Sequence, residues 1–283
     1  MKLPQKQLFV AALAAALGGW PAAAAMAQTG RVAQAKTISI ENIVDMTHTL
    51  TPDFPFNPTS GYYFPFRATT LTTIKNEGSN ARRWDIHEHI GTQIDAPIHF
   101  HAGGMTLEKL DVKTLIAPLA IIDIRERAAR NPDALLTVDD LKAWEKQHGR
   151  LPEACAVFLW SGWDAKIKDA KAFVNLDEKK IMHFPGFAPE AVAFLLRERN
   201  VVGIGTDCLS PDIGPSTDFP IHKAWHAAGK WNVECVANLA AVPPAGATVF
   251  VGSSKVVDAA GGLVRIIATY PDAAGKTLPA GSR

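Results

Sequence analysis

Between residues 119 and 207 the chain alternates short apolar runs with stretches of helical period, and no other feature limits its fold as strongly. "LAIIDIR" (119–125), "ACAVFLW" (154–160) and "VVGIGTD" (201–207) are continuous apolar runs bounded by turn residues, the mark of buried strands. Between them lie two helices. "TVDDLKAWEKQHG" (137–149) has Thr137 as a cap, Asp140 three residues later and Gly149 as a stop. Its inner stripe is Val138, Leu141, Trp144 and His148. "APEAVAFLLRERN" (188–200) has Pro189 in its first turn and Asn200 placed to cap its end. "TVFVGS" and "GLVRIIATY" add strands near the C-terminus. "NIVDMTHTLTPDFPFNP" reads as a strand entering a loop that Pro52, Pro55 and Pro58 keep irregular. Strands alternating with helices predict an α/β fold, a single mixed β/α domain over residues 28–283.

The first 27 residues are of another kind. Lys2 and Lys6 precede an apolar run, and Ala25-Met26-Ala27 stands ahead of Gln28. That is the order of a secretory signal. The run Leu8–Ala27 approaches spanning length, but it is Ala-rich and holds Gly18, Gly19 and Pro21 near its end, which argues against an anchor. The expectation is cleavage and a periplasmic or secreted mature chain. A net charge of +1 with no basic block speaks against nucleic acid as a partner. Cys155, Cys208 and Cys235 are an odd number at spacings that fit no zinc ribbon or redox pair, so buried free thiols are expected.

Chemistry concentrates in "HEHIGTQIDAPIHF", residues 87–100. "ARRWDIHEHIG" (81–91) alternates well enough for a strand, and an extended path predicts His87 and His89 on one face. Gly91 permits an unusual backbone conformation, after which Gln93 and Asp95 fall on the His89 side. Pro97 ends the strand and His99 follows in a loop. His89, Gln93, Asp95 and His99 are thus expected to converge at a sheet end, where rigid strands carry functional loops. A second region, "FPIHKAWHAAGKWNVECVANL" (219–239), puts His222 and His226 on one helix face and Glu234 twelve residues after His222. Lys223 rules out the zincin H-E-x-x-H motif.

These residues resemble the metal-dependent cyclase family, which includes bacterial kynurenine formamidase and isatin hydrolase. The family motif H-x-G-T-H-x-D-x-P-x-H is met by "HIGTQIDAPIH" at every fixed position except Gln93. The family's later His, its Glu and its Asn-Leu pair match His222, Glu234 and "ANL" (237–239). The resemblance implies a swivelling β/β/α fold and a hydrolase of an amide or lactone bond in a small cyclic or aryl substrate. It implies His89 and Asp95 as ligands of one divalent cation, with Asp95 bridging to a second held by His222 and Glu234. His99 would be the general base or acid, and a metal-bound hydroxide the nucleophile. Dimers or tetramers are implied as well.

Gln93 opens three readings: an oxygen ligand, a holder of a metal-bound water, or a lost first site. One or two Mn²⁺ or Zn²⁺ ions are expected, with the amide oxygen favouring the harder ion. An arylformamidase acting on N-formylkynurenine and a catalytically degenerate binding protein are the competing functions. Tyr62, Tyr63, Phe64, Phe66 and Trp84 flank the motif as pocket or core residues, and Phe54 and Phe56 are the stronger pocket candidates. His87 and His101 are either partners that orient the ligands or exposed side chains. Cys208 is expected to be a packing residue.

Overall fold

The apolar runs form the centre of an eight-stranded sheet. The structure is a computed structural model that describes residue 38 and residues 40–272, so the expected signal at 1–27 lies outside the described residues. In chain order the sheet contains β1 (Asn42–Asp45), β2 (Gln93–Asp95), β3 (Ile116–Asp123), β4 (Cys155–Trp160), β5 (Val201–Thr206), β6 (Trp231–Glu234), β7 (Ala247–Ser253) and β8 (Gly261–Tyr270). The spatial order is β1-β8-β7-β3-β4-β5-β6-β2, and β2 also pairs with β8. Seven strands therefore close into a barrel-like ring, which leaves few free backbone groups at an edge.

β3, β4, β5 and β6 are mutually parallel, and every other pairing within this sheet is antiparallel. Parallel neighbours need long crossovers. These are supplied by α1 (Val138–His148), α2 (Pro189–Glu198) and α3 (Pro220–Ala227). α1 starts with the expected capping box, in which Thr137 and Asp140 satisfy each other's backbone N–H groups, and it stops at Gly149. α2 ends two residues before the expected cap. Arg199 is already extended, and its guanidinium turns back to Glu145 on α1 with two 2.7 Å hydrogen bonds. A tertiary ion pair, not a left-handed Asn200, sets that end.

The continuous apolar runs follow from burial on both strand faces. Ala120, Ile122, Val157 and Leu159 pack under α1 and α2 with Leu141, Trp144, Phe187 and Leu195. Leu119, Ile121, Ala156 and Phe158 point the other way, into the ring, with Ile94, Trp231, Val233 and Ile266. Gly203 and Gly205 on β5 leave the space that Trp231 and Phe158 fill. Cys155, Cys208 and Cys235 are buried free thiols, as expected. No helix among the described residues is long and apolar enough to cross a membrane.

One sequence expectation fails. The strand through "ARRWD" stops at Asp85, pairs only with Arg67–Thr72, and lies outside the main sheet. His87 and His89 sit in a turn-rich passage beyond it. Gly91, at φ +77°, swings the chain from that passage into β2. His89 thus reaches Asp95 by a turn and not along an extended face.

Candidate metal centre

β2 and β6 run antiparallel with Gln93 opposite Glu234 and Asp95 opposite Asn232. Side chains alternate along a strand, so these four share one face while Ile94 and Val233 go into the ring core. The pleat alone brings two amides and two carboxylates together from segments some 140 residues apart. His222 enters from α3: its Nε2 lies 3.2 Å from Glu234 Oε1 and 3.4 Å from Asp95 Oδ2. His89 Nδ1 lies 2.7 Å from Asp95 Oδ1. His99 ends a short 3-10 turn begun by Pro97, and its ring stacks on His89 with centroids 3.8 Å apart. The expected six residues converge. Two triads have ligand atoms mutually close enough for a cation: His89, Asp95 and His99, and Asp95, His222 and Glu234.

Three outer residues complete the arrangement, and the sequence reading missed each. Asp212, buried, accepts from His222 Nδ1 at 2.7 Å and from the backbone N–H groups of Ile221 and His222. It orients the imidazole and caps α3 together, leaving Nε2 for the centre. It escaped notice because it stands eight residues before Pro220, not at a helix N-cap position. Asn232 donates to Asp95 Oδ2 at 2.8 Å. Gly261 on β8 faces Asp95 across the ladder, where a Cβ would collide with the His89 ring.

The electrostatics fit a divalent cation. Burial and the neighbouring Asp95 charge push the Glu234 carboxyl up to about 7. Burial opposes ionisation of Asp95 too, but His89 and His99 and the hydrogen bonds from His222 and His89 hold it well below the carboxylate range. Burial works against protonated His222, yet Asp212, Asp95 and Glu234 together raise it well above the imidazole range. Two adjacent buried carboxylates repel, and a bound cation removes that cost. Gln93 gives an independent sign. Its Nε2 donates to Glu234 Oε2 at 2.6 Å, while its Oε1 is buried without a hydrogen-bond partner. An orphaned carbonyl oxygen beside two carboxylates is a donor set for a hard or borderline ion. The residues present therefore fit a metal. Burial, joined by the charges of His89, His222 and His226 and opposed by Asp95, lowers His99 to about 3 and keeps its imidazole neutral in the metal-free protein.

A cavity of about 120 Å³ opens over these groups. Tyr63, Phe100, Phe184, Leu209, Ile213 and Phe219 are among its walls, and none of the described lining residues is Lys or Arg. Phe54 and Phe56 do not line it. Phe54 is in the core with Phe66 and Cys208, Phe56 packs against that cluster, and their neighbours Pro55 and Asn57 face the cavity instead. His87 stacks on Tyr63 at 4.5 Å and buttresses that wall, whereas His101 is exposed. Trp84 is exposed on the separate hairpin. Cys208 is a packing residue, its thiol pushed up by burial beside Asp207.

Comparison with known proteins agrees with this geometry. The Cyclase family model matches residues 44–213, which include His89, Gln93, Asp95 and His99. The isatin hydrolase of Roseibium aggregatum is 36% identical over 195 residues, covering 66% of this chain and 73% of that protein. The kynurenine formamidase of Geobacillus thermodenitrificans is 27% identical over 167 residues, covering 58% of this chain and 69% of that one. A solved isatin hydrolase bound to the product analogue thioisatinate superposes with a TM-score of 0.76 at 31% identity, over 81% of this chain and 92% of the other. A family match across more than half of the chain, a shared mixed β/α fold and a buried carboxylate–imidazole centre all lead to one statement: the chain belongs to the Cyclase family of metal-dependent hydrolases.

Proposed function

We propose that this chain hydrolyses the amide or lactone bond of a small, uncharged cyclic or aryl substrate of the isatin kind. One or two Mn²⁺ or Zn²⁺ ions would be held by His89, Gln93, Asp95, His222 and Glu234. The observation that carries the reading is the partnerless Gln93 Oε1 beside the Asp95–Glu234–His222 cluster, under an aromatic cavity. A bound divalent cation supplies Lewis acidity at the scissile carbonyl and lowers the pKa of a nearby water.

The protein's own groups do the rest. Tyr63, Phe184 and Phe219 offer flat apolar faces for an aryl ring. Burial, then Tyr62 and the Glu234 and Asp95 charges, keep the Tyr63 phenol protonated, so it serves as a donor. Neutral His99 takes a proton from water at an imidazole nitrogen and returns it to the leaving nitrogen or oxygen. The absence of a cationic side chain among the described lining residues favours a neutral substrate over a preformed carboxylate. The similarity to isatin hydrolase, at 36% identity against 27% for the formamidase, supports a ring amide over N-formylkynurenine. The reading includes export, from the sequence of residues 1–27, and a homo-oligomer. Cell fractionation and light scattering test these two points.

The test is elemental analysis of the purified protein with hydrolysis of isatin, N-formylkynurenine and simple lactones under added Mn²⁺ or Zn²⁺. Isatin is expected to turn over fastest. Asp95→Ala should lose both metal and turnover. His99→Ala should keep the metal while its rate falls about 10²–10⁴-fold. A protein that binds no metal and hydrolyses none of these refutes the reading, and so does an active Asp95→Ala.

A further inference from the structure

His226 lies one helical turn after His222, wholly buried, and the functional reading above gives it no task. Its surroundings do. Asn232, also fully buried, has one end of its amide against two carboxylates, 2.8 Å from Asp95 Oδ2 and 3.5 Å from Glu234 Oε1. Only an NH₂ group donates to both, so that end is Nδ2. The carbonyl end, Oδ1, then faces away and meets His226 Nε2 at 2.7 Å. Since a carbonyl only accepts, His226 must carry its proton on Nε2. Its Nδ1 is bare and has no hydrogen-bond partner.

A buried acceptor without a partner is destabilising, and an apolar side chain would avoid that cost. The imidazole is explained if its single hydrogen bond does something an apolar residue does not. Without it, the Asn232 amide is free to turn over and set its oxygen against the two carboxylates. We propose that His226 and Asn232 are a positioning pair: His226 fixes the sense of the Asn232 amide, and the amide fixes the spacing and aim of Asp95 and Glu234. The pair touches neither substrate nor cation. It acts from the face of Asp95 that His89 does not occupy, since His89 holds Oδ1 and Asn232 holds Oδ2. The inference rests on the metal reading for its consequence, but not for its geometry.

The experiment has two arms. In the metal-free protein, ¹⁵N NMR of the Asn232 side-chain amide is compared between the natural chain, His226→Leu and His226→Gln. Gln places an N–H donor close to the position of imidazole Nε2. The Asn232 signals are expected to move in His226→Leu and to stay near their natural position in His226→Gln. Unchanged signals in a folded His226→Leu overturn the inference whether or not a metal binds. In the second arm, Mn²⁺ and Zn²⁺ affinities are measured by competition with a chelating dye. His226→Leu and Asn232→Leu are expected to bind about 10–100-fold more weakly, the usual effect of losing an outer partner, with His226→Gln within about threefold of the natural chain. Natural affinity in both Leu variants overturns the inference. If His226→Leu does not fold, Asn232→Leu carries the affinity arm and His226→Gln is then read against His226→Asn, whose shorter amide cannot reach Oδ1. Equal Asn232 signals in those two also overturn it. A natural chain that binds neither ion refutes the functional reading instead and leaves the first arm to decide this one.

Discussion

Replacing Gly261 by Ala adds one methyl group in a place where the structure allows none. The new Cβ would lie 2.7 Å from His89 Cε1, 2.9 Å from His89 Nδ1 and 2.8 Å from the Ile94 carbonyl oxygen. Ordinary contact begins at 3.4 Å, so the His89 ring must retreat by roughly 0.7 Å. It cannot retreat freely, because the ring stacks on His99 and Nδ1 is tied to Asp95 at 2.7 Å. The Ile94 oxygen is backbone and yields less. Gly261 is not in a left-handed conformation, so backbone strain is not part of the effect. Overpacking of this kind costs about 1–3 kcal/mol of stability. The functional loss should be larger in proportion: catalytic groups tolerate about 0.5 Å of displacement, and a 1 Å error costs on the order of 10²-fold. The assay is a urea unfolding curve for stability, with metal affinity and kcat/KM measured on the folded variant. The control is Gly252→Ala on the neighbouring strand, where the added Cβ meets only the Arg265 oxygen at 3.4 Å. Gly252→Ala should behave like the natural chain. A Gly261→Ala protein with natural stability, metal affinity and rate would refute this account of how His89 is held.

Asp212→Ala removes both the partner of His222 Nδ1 and the cap of α3. It should weaken metal binding about 10–100-fold and cost about 1 kcal/mol of stability, read by dye competition and urea denaturation. Asp140 tests a part of the fold far from the centre. Burial opposes its charge, but Arg127 and the Thr137 N–H and hydroxyl outweigh burial and hold the carboxyl below its ordinary value of 3.8. A folded pKa below the unfolded one gives stability that is fully present above about pH 4 and is lost as pH falls through the folded value. Asp140→Asn should therefore lower the urea midpoint at pH 7 and lose less on going to pH 3 than the natural chain does. Equal losses in both proteins would show that the capping box contributes nothing to the acid limb.

Much of the fold could be read from local pattern. The runs at 119–125, 154–160 and 201–207 fall on the parallel strands Ile116–Asp123, Cys155–Trp160 and Val201–Thr206, because a strand buried on both faces must be apolar throughout. The Thr137–Asp140 box fixed the start of α1 because both partners lie within four residues. Elements closed by distant partners were hidden. α2 stops where Arg199 meets Glu145, 54 residues away, and α3 is capped by Asp212 from outside the helix. The strand drawn through His87 and His89 was wrong because alternation cannot tell a paired strand from a turn that leads into one.

The same division runs through the centre. Local pattern was enough to name the residues that meet: the proposed ligands His89, Gln93, Asp95, His222 and Glu234 and the proposed proton carrier His99, because side-chain chemistry and short-range spacing are local properties. Tertiary structure decided what surrounds them. Asn232 became a donor to Asp95 through antiparallel register, Gly261 became essential space through the closure of β8 on β2, and Gln93 turned its amide nitrogen to Glu234 and left its oxygen bare. Register and closure are agreements between distant segments, fixed by packing of the whole ring, and no single stretch of chain encodes them.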